Sequence, residues 1–154
     1  FKSTSGATMT KPGTARPVPA PTTNENLIDA ALARVNPELV LSPSIIDIGG
    51  APLGVAAPRL GMRVMKSGRT TGLTQGIVTQ IDVTIDVNYD NRRARFTNQI
   101  VLTPLSQPGD SGSLILDYER RAVALLFSGS SQVTVASPIQ TVLSRLRVEL
   151  ETRA

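Results

Sequence analysis

The chain has 154 residues and a formal net charge of +4; it is 40% hydrophobic but only 3% aromatic, and it contains neither cysteine nor histidine. That is enough for one domain with a core, and the composition reads as globular and β-rich rather than disordered or coiled coil. Disulfides and thiolate sites are excluded, a zinc site would have only carboxylates to use, and no apolar run is long enough to cross a bilayer, so we expect no metal, no cofactor and no membrane partner.

The positive charge comes from thirteen arginines and three lysines. Arg92, Arg93 and Arg95 cluster, but Arg120, Arg121, Arg145 and Arg147 lie far off in sequence, and no aromatic residues interleave with them to stack on bases. Nucleic acid is therefore not an expected partner. The chain begins at Phe1 with no signal-peptide pattern, so we expect upstream polypeptide to have been removed; the compartment stays open.

Residues 1–26 are rich in Ser, Thr, Pro, Gly and Ala, with Pro12, Pro17, Pro19 and Pro21 close together. Such a stretch supports neither ladder nor helix and reads as a loop or tail. Residues 27–35 (LIDAALARV) fit a strand or a short helix equally well. Residues 36–60 carry Pro37, Pro43, Pro52, Pro58 and Gly49-Gly50, and read as loop. Runs rich in β-branched residues then predict strands over 62–65, 76–82, 83–88, 95–103, 113–116, 122–127 and 133–136. Val83, Ile85 and Val87 alternate with Asp82, Thr84 and Asp86, as in a half-buried antiparallel strand. Asn88–Arg92 and Asp117–Arg120 have turn composition. Last comes a helix, with Ser137 as N-cap, Pro138 at the first helical position, and Ile139, Val142, Leu143, Leu146 and Leu150 on one face.

Two strings carry chemistry: Gly68-Arg-Thr-Thr-Gly-Leu-Thr-Gln-Gly-Ile-Val78 and Gly109-Asp-Ser-Gly-Ser113. With short strands between them and a terminal helix, they resemble the chymotrypsin-like (trypsin-like) serine peptidases. The likeness is nearest to disulfide-free bacterial members of the alpha-lytic and glutamyl-endopeptidase types, and to the narrow-leaf kind. It covers residues 62–150 well and reaches back to 27–35. It implies an all-β, double antiparallel β-barrel. Residues 61–154 would supply the second barrel and its C-terminal helix, and 27–60 the end of the first barrel and the linker.

The resemblance implies roles. Ser111 would be the nucleophile, and the N–H groups of Gly109 and Ser111 the oxyanion hole, each donor worth about 3–4 kcal/mol in the transition state. Asp110 would point inward and need a cation, for which Arg69 is the expected partner. Asp29, in Ile28-Asp29-Ala30-Ala31-Leu32, would be the carboxylate that orients an imidazole, with Asp47 as its competitor. Leu105, Ser106, Ser128, Gly129 and Ser130 would bind substrate, the last three by adding the substrate as a strand. With no Asp at the pocket base and no His, a small or apolar side chain is the expected preference.

The imidazole itself is absent from these 154 residues. In this family the order is His, Asp, Ser, and two barrels need roughly 200 residues. The expectation is therefore a serine endopeptidase in two pieces, this chain being the C-terminal product of a nick or autoproteolysis. The partner would be an N-terminal fragment of the same precursor that carries the His. The alternative is a pseudoprotease that binds peptides or serves as a scaffold.

Overall fold

The structure, a computed structural model, describes residues 25–39, 42–89 and 92–152. The expected tail lies outside it except for Glu25 and Asn26, as does the tip Asp90-Asn91 of the first expected turn. Six strands form the body: β1 (Arg63–Gly68), β2 (Gly72–Tyr89), β3 (Arg92–Leu102), β4 (Leu114–Asp117), β5 (Ala122–Gly129) and β6 (Thr134–Pro138), followed by the helix α1 (Ile139–Leu146). They close as one antiparallel barrel in the order β1-β2-β3-β6-β5-β4, a closure that leaves no free sheet edge. Inward-facing Val64, Val78, Ile100, Leu102, Leu105, Ile115 and Leu126 fill its interior, each worth about 1.5–3 kcal/mol against exposure.

The two strands expected over 76–82 and 83–88 are one 18-residue strand, β2. The register explains the apparent break. Gln80 pairs with Val101 and Val83 with Gln99, so β2 carries an extra residue there; Ile85 pairs with Phe96, so β3 carries the next. Asp82 and Asn98 sit at these points with φ of 55° and 58°, and short polar side chains tolerate that conformation. The bulges bend the β2–β3 hairpin so that Ile85, Val87, Tyr89 and Ala94 pack around Phe96, Phe127 and Val135.

Residues 27–35 form neither a helix nor a named strand. Asn26 makes a single parallel bridge to Phe96. Further on, Val55 bridges Ala122 in the same way. The expected cap of α1 is corrected. Pro138 holds the cap position without a side-chain bond, because the Ser137 hydroxyl donates to Gln99 Oε1 at 2.8 Å instead. The helix stops at Arg147, whose φ is 55°, so Leu150 lies beyond it but still packs on the cluster around Leu116, Ile139 and Val142. No helix among the described residues is long and apolar enough to cross a membrane.

Candidate active site

The loop between β3 and β4 carries Gly109, Asp110 and Ser111, and its geometry is set from Asp110 outward. Asp110 is 1% exposed. Its Oδ1 accepts the N–H groups of Thr70 (2.8 Å) and Thr71 (3.1 Å). Its Oδ2 accepts the Thr71 hydroxyl (2.6 Å) and the Gln107 N–H (3.0 Å). Burial pushes its carboxyl up, but the Thr71 hydroxyl and the N–H groups of Gln107, Thr70 and Thr71 outweigh this and hold it well below the usual carboxylate range.

The cation beside Asp110 is Lys66, not Arg69. Lys66 Nζ lies 3.3 Å from Oδ2, and both side chains are fully buried. Arg69, in the turn between β1 and β2, is exposed. The pleat decides this. Val64 and Lys66 share the inward face of β1, whereas Arg69 lies past the strand end at Gly68. Lys66 also donates to Thr71 Oγ1 and to Gly72 O. Together with Asp110, these acceptors tie the Lys66 side chain to the start of β2 and to the β3–β4 loop.

Gly109 has a φ of 101°, and a Cβ there would run into Thr70 Oγ1. No other residue fits without strain. Ser111 is half-buried, and its hydroxyl donates to the Phe127 carbonyl at 3.3 Å. On its far side Gly112 N–H donates to Leu126 O at 2.7 Å, while the Ser113 hydroxyl returns to Asp110 O at 2.6 Å. The loop bearing Ser111 is thus tied to β5 and to the β1–β2 turn.

Ser111 stands on a cavity of about 820 Å³ whose lining includes Leu105, Ser106, Ser128, Gly129 and Ser130, all five expected substrate-binding residues. Thr71, Thr74, Gln107 and Ser131 join them, and no lining side chain is charged. Leu105 meets the cavity from the barrel core. Its side chain is 4% exposed and belongs to the barrel core, where its Cδ2 fills the space a Cβ on Gly76 would take. The surface offered to a ligand is therefore richer in hydroxyls than expected. Ser106 Oγ lies 2.8 Å from Thr134 Oγ1, which is fully buried behind it. The β4–β5 ladder ends at Leu114–Leu125, so Ser128–Ser130 extend past β4 beside the cavity.

Asp29 is half-buried and accepts the Tyr89 hydroxyl at 2.6 Å. Burial, then this bond and the negative charge, push the Tyr89 phenol above its ordinary value. No hydrogen bond joins Asp29 to Ser111 among the described residues. Asp47 is exposed and, among the described residues, accepts a long 3.4 Å bond from Ser67 Oγ. Lys66, Thr71 and Tyr89 are the site's unforeseen members. Lys66 had a readable signal, since a charged residue at an inward strand position requires a partner.

No protein-family model matches the chain, and none of the curated proteins does. Solved structures do. The chain is similar to Cellulomonas bogoriensis chymotrypsin (25% identity, TM-score 0.66), over 78% of this chain and 67% of that one. It is similar to Thermobifida fusca protease A (26%, TM-score 0.59), over 67% and 55%. A glutamic-acid-specific serine protease that uses a histidine triad in substrate binding also matches (26%, TM-score 0.60), over 77% and 65%. The chain spans between 55% and 67% of the length of these structures.

Proposed function

We propose that this chain, which has a chymotrypsin-like peptidase fold, is the nucleophile-bearing part of a serine endopeptidase. The observation that carries the reading is the placement of Ser111. It stands at the rim of an uncharged cavity, on a loop locked by the buried Asp110. Ser111 Oγ attacks a peptide carbonyl, the N–H groups of Gly109 and Ser111 receive the oxyanion, and the acyl-enzyme is released by water. Swinging toward substrate, the hydroxyl gives up its bond to Phe127 O.

The proton acceptor comes from polypeptide outside these 154 residues, since the chain has no histidine. Our reading is an imidazole on an N-terminal piece of the same precursor, oriented by Asp29. The apolar side chains Leu32, Leu39, Ile46 and Leu60, all more than half exposed, support a further body packed against the 27–60 segment. The uncharged cavity supports a small neutral side chain in the substrate. A histidine triad of the kind used by the glutamic-acid-specific relative cannot be assembled from this chain.

A fluorophosphonate probe, which labels only activated serines, tests the proposal on the full-length protein. Labelling at Ser111, lost in Ser111→Ala, supports it. An unlabelled but folded protein that still binds peptides would instead mean a pseudoprotease.

A further inference from the structure

The segment bearing Asp29 is fastened to the barrel by a set of bonds that the reaction scheme above does not use. Asn26 N–H donates to Arg95 O at 2.9 Å and Thr97 N–H to Asn26 O at 3.0 Å. Asn26 Nδ2 adds a bond to Arg95 O at 3.0 Å. The fully buried Gln99 donates to Leu27 O at 3.0 Å and receives the Ser137 hydroxyl. Tyr89, on the β2–β3 hairpin, then reaches the carboxylate itself.

The charged groups on neighbouring elements leave this contact alone. Arg93 and Arg95 both turn to Asp86, at 2.6 and 3.0 Å. Glu25 is exposed on the segment's other end, and the helix contributes Ile139 and Val142 to the apolar cluster that holds Ile28 and Ala30. The described partner of the Asp29 carboxylate is thus a neutral phenol. Tyr89 is itself held by its ring, 6.4 Å from Phe96, which lies 4.9 Å from Phe127. Phe127 supplies the carbonyl that takes the Ser111 hydroxyl. One aromatic row therefore links the orienting carboxylate to the nucleophile strand.

From this we infer that Tyr89 is a positioning residue for the reaction: it fixes Asp29 by occupying Oδ2, which leaves Oδ1 to receive the imidazole N–H. This inference rests on the reading of Asp29 given above and extends it. The second barrel holds the orienting acid with its own residues, so the partner polypeptide need bring only the imidazole. A phenol donating to the carboxylate also draws charge from it, which weakens its hold on an imidazolium.

Tyr89→Phe keeps the ring and removes the donor. In the full-length protein it should lower kcat about tenfold with KM unchanged. The acidic limb of the pH–rate profile should move to higher pH, because the undiluted carboxylate favours the protonated base. Asp29→Asn should lower the rate by orders of magnitude in parallel. If Asp29→Asn collapses the rate but Tyr89→Phe leaves kcat and the limb in place, Tyr89 has no such role and the Asp29 reading stands. A rate indifferent to Asp29→Asn, or a wild-type protein that neither cleaves nor labels, removes that reading and this inference with it.

Discussion

Lys66→Met tests whether the nucleophile loop is held by the ion pair the structure shows. The variant keeps the apolar stem and removes the ammonium. Asp110 would keep its four donors from Thr70, Thr71 and Gln107, so it would stay ionised, buried and unbalanced. Breaking a buried pair from one side costs about 3–5 kcal/mol. The surviving donors put this case near the lower end, and the orphaned Gly72 carbonyl adds about 1 kcal/mol. The expected loss in urea unfolding is about 4 kcal/mol, a large share of a domain's usual 5–15. Arg69→Ala, at an exposed turn, should stay within about 0.5 kcal/mol. Lys66→Met combined with Asp110→Asn should lose less than the two single changes added, because the stranded charge is gone. The pH dependence follows from the lowered carboxyl of Asp110. Its stabilisation is present above the ordinary value of 3.8 and is lost as pH falls below it toward the folded value. A Lys66→Met loss under about 1 kcal/mol, or a larger loss in Arg69→Ala, would refute the assignment.

Gly109→Ala should cost about 1–3 kcal/mol from the forced φ, and more from the collision with Thr70, while abolishing Ser111 labelling; urea unfolding and the probe read the two effects separately. Gln99→Ala orphans the Leu27 carbonyl and the Ser137 hydroxyl, so about 1–3 kcal/mol should be lost. The Thr97 amide, which donates to Asn26 O, should also exchange faster with deuterium. Leu105→Ala should cost about 2–5 kcal/mol as a core truncation; a near-neutral result would contradict its place in the barrel core.

Much of the barrel is legible in the chain because β-branched residues alternate with polar ones where a strand has one wet face. The alternation in 83–88 fits β2 directly. What failed were places where one residue overrides a local pattern. The strands predicted over 76–82 and 83–88 part after Asp82, yet a single residue of positive φ there bulges β2 without ending it. Ser137 reads as a cap, but a buried glutamine from β3 claims its hydroxyl. Leu105 reads as pocket lining and does line the cavity, but it does so from the core, with its Cδ2 against Gly76. The Gly109–Ser113 string and the cavity residues were readable because neighbours in sequence stay neighbours in a loop. The bond between Tyr89 and Asp29 was not, since the two are sixty positions apart and joined only by how the bent hairpin lies against the 26–30 segment. Arg69 is the cation that motif likeness suggests, whereas the inward period of Val64 and Lys66 points to Lys66.

The central claim is that Ser111 is activated by a base this chain does not contain. Its most direct test is the rate of fluorophosphonate labelling at Ser111, mapped by peptide mass spectrometry, in the 154-residue chain alone and in the full gene product that contains it. The account predicts rapid labelling in the full product, abolished by Ser111→Ala, and none in the chain alone. Equal, rapid labelling of both would place the base within these residues, and silence in both would remove the catalytic role.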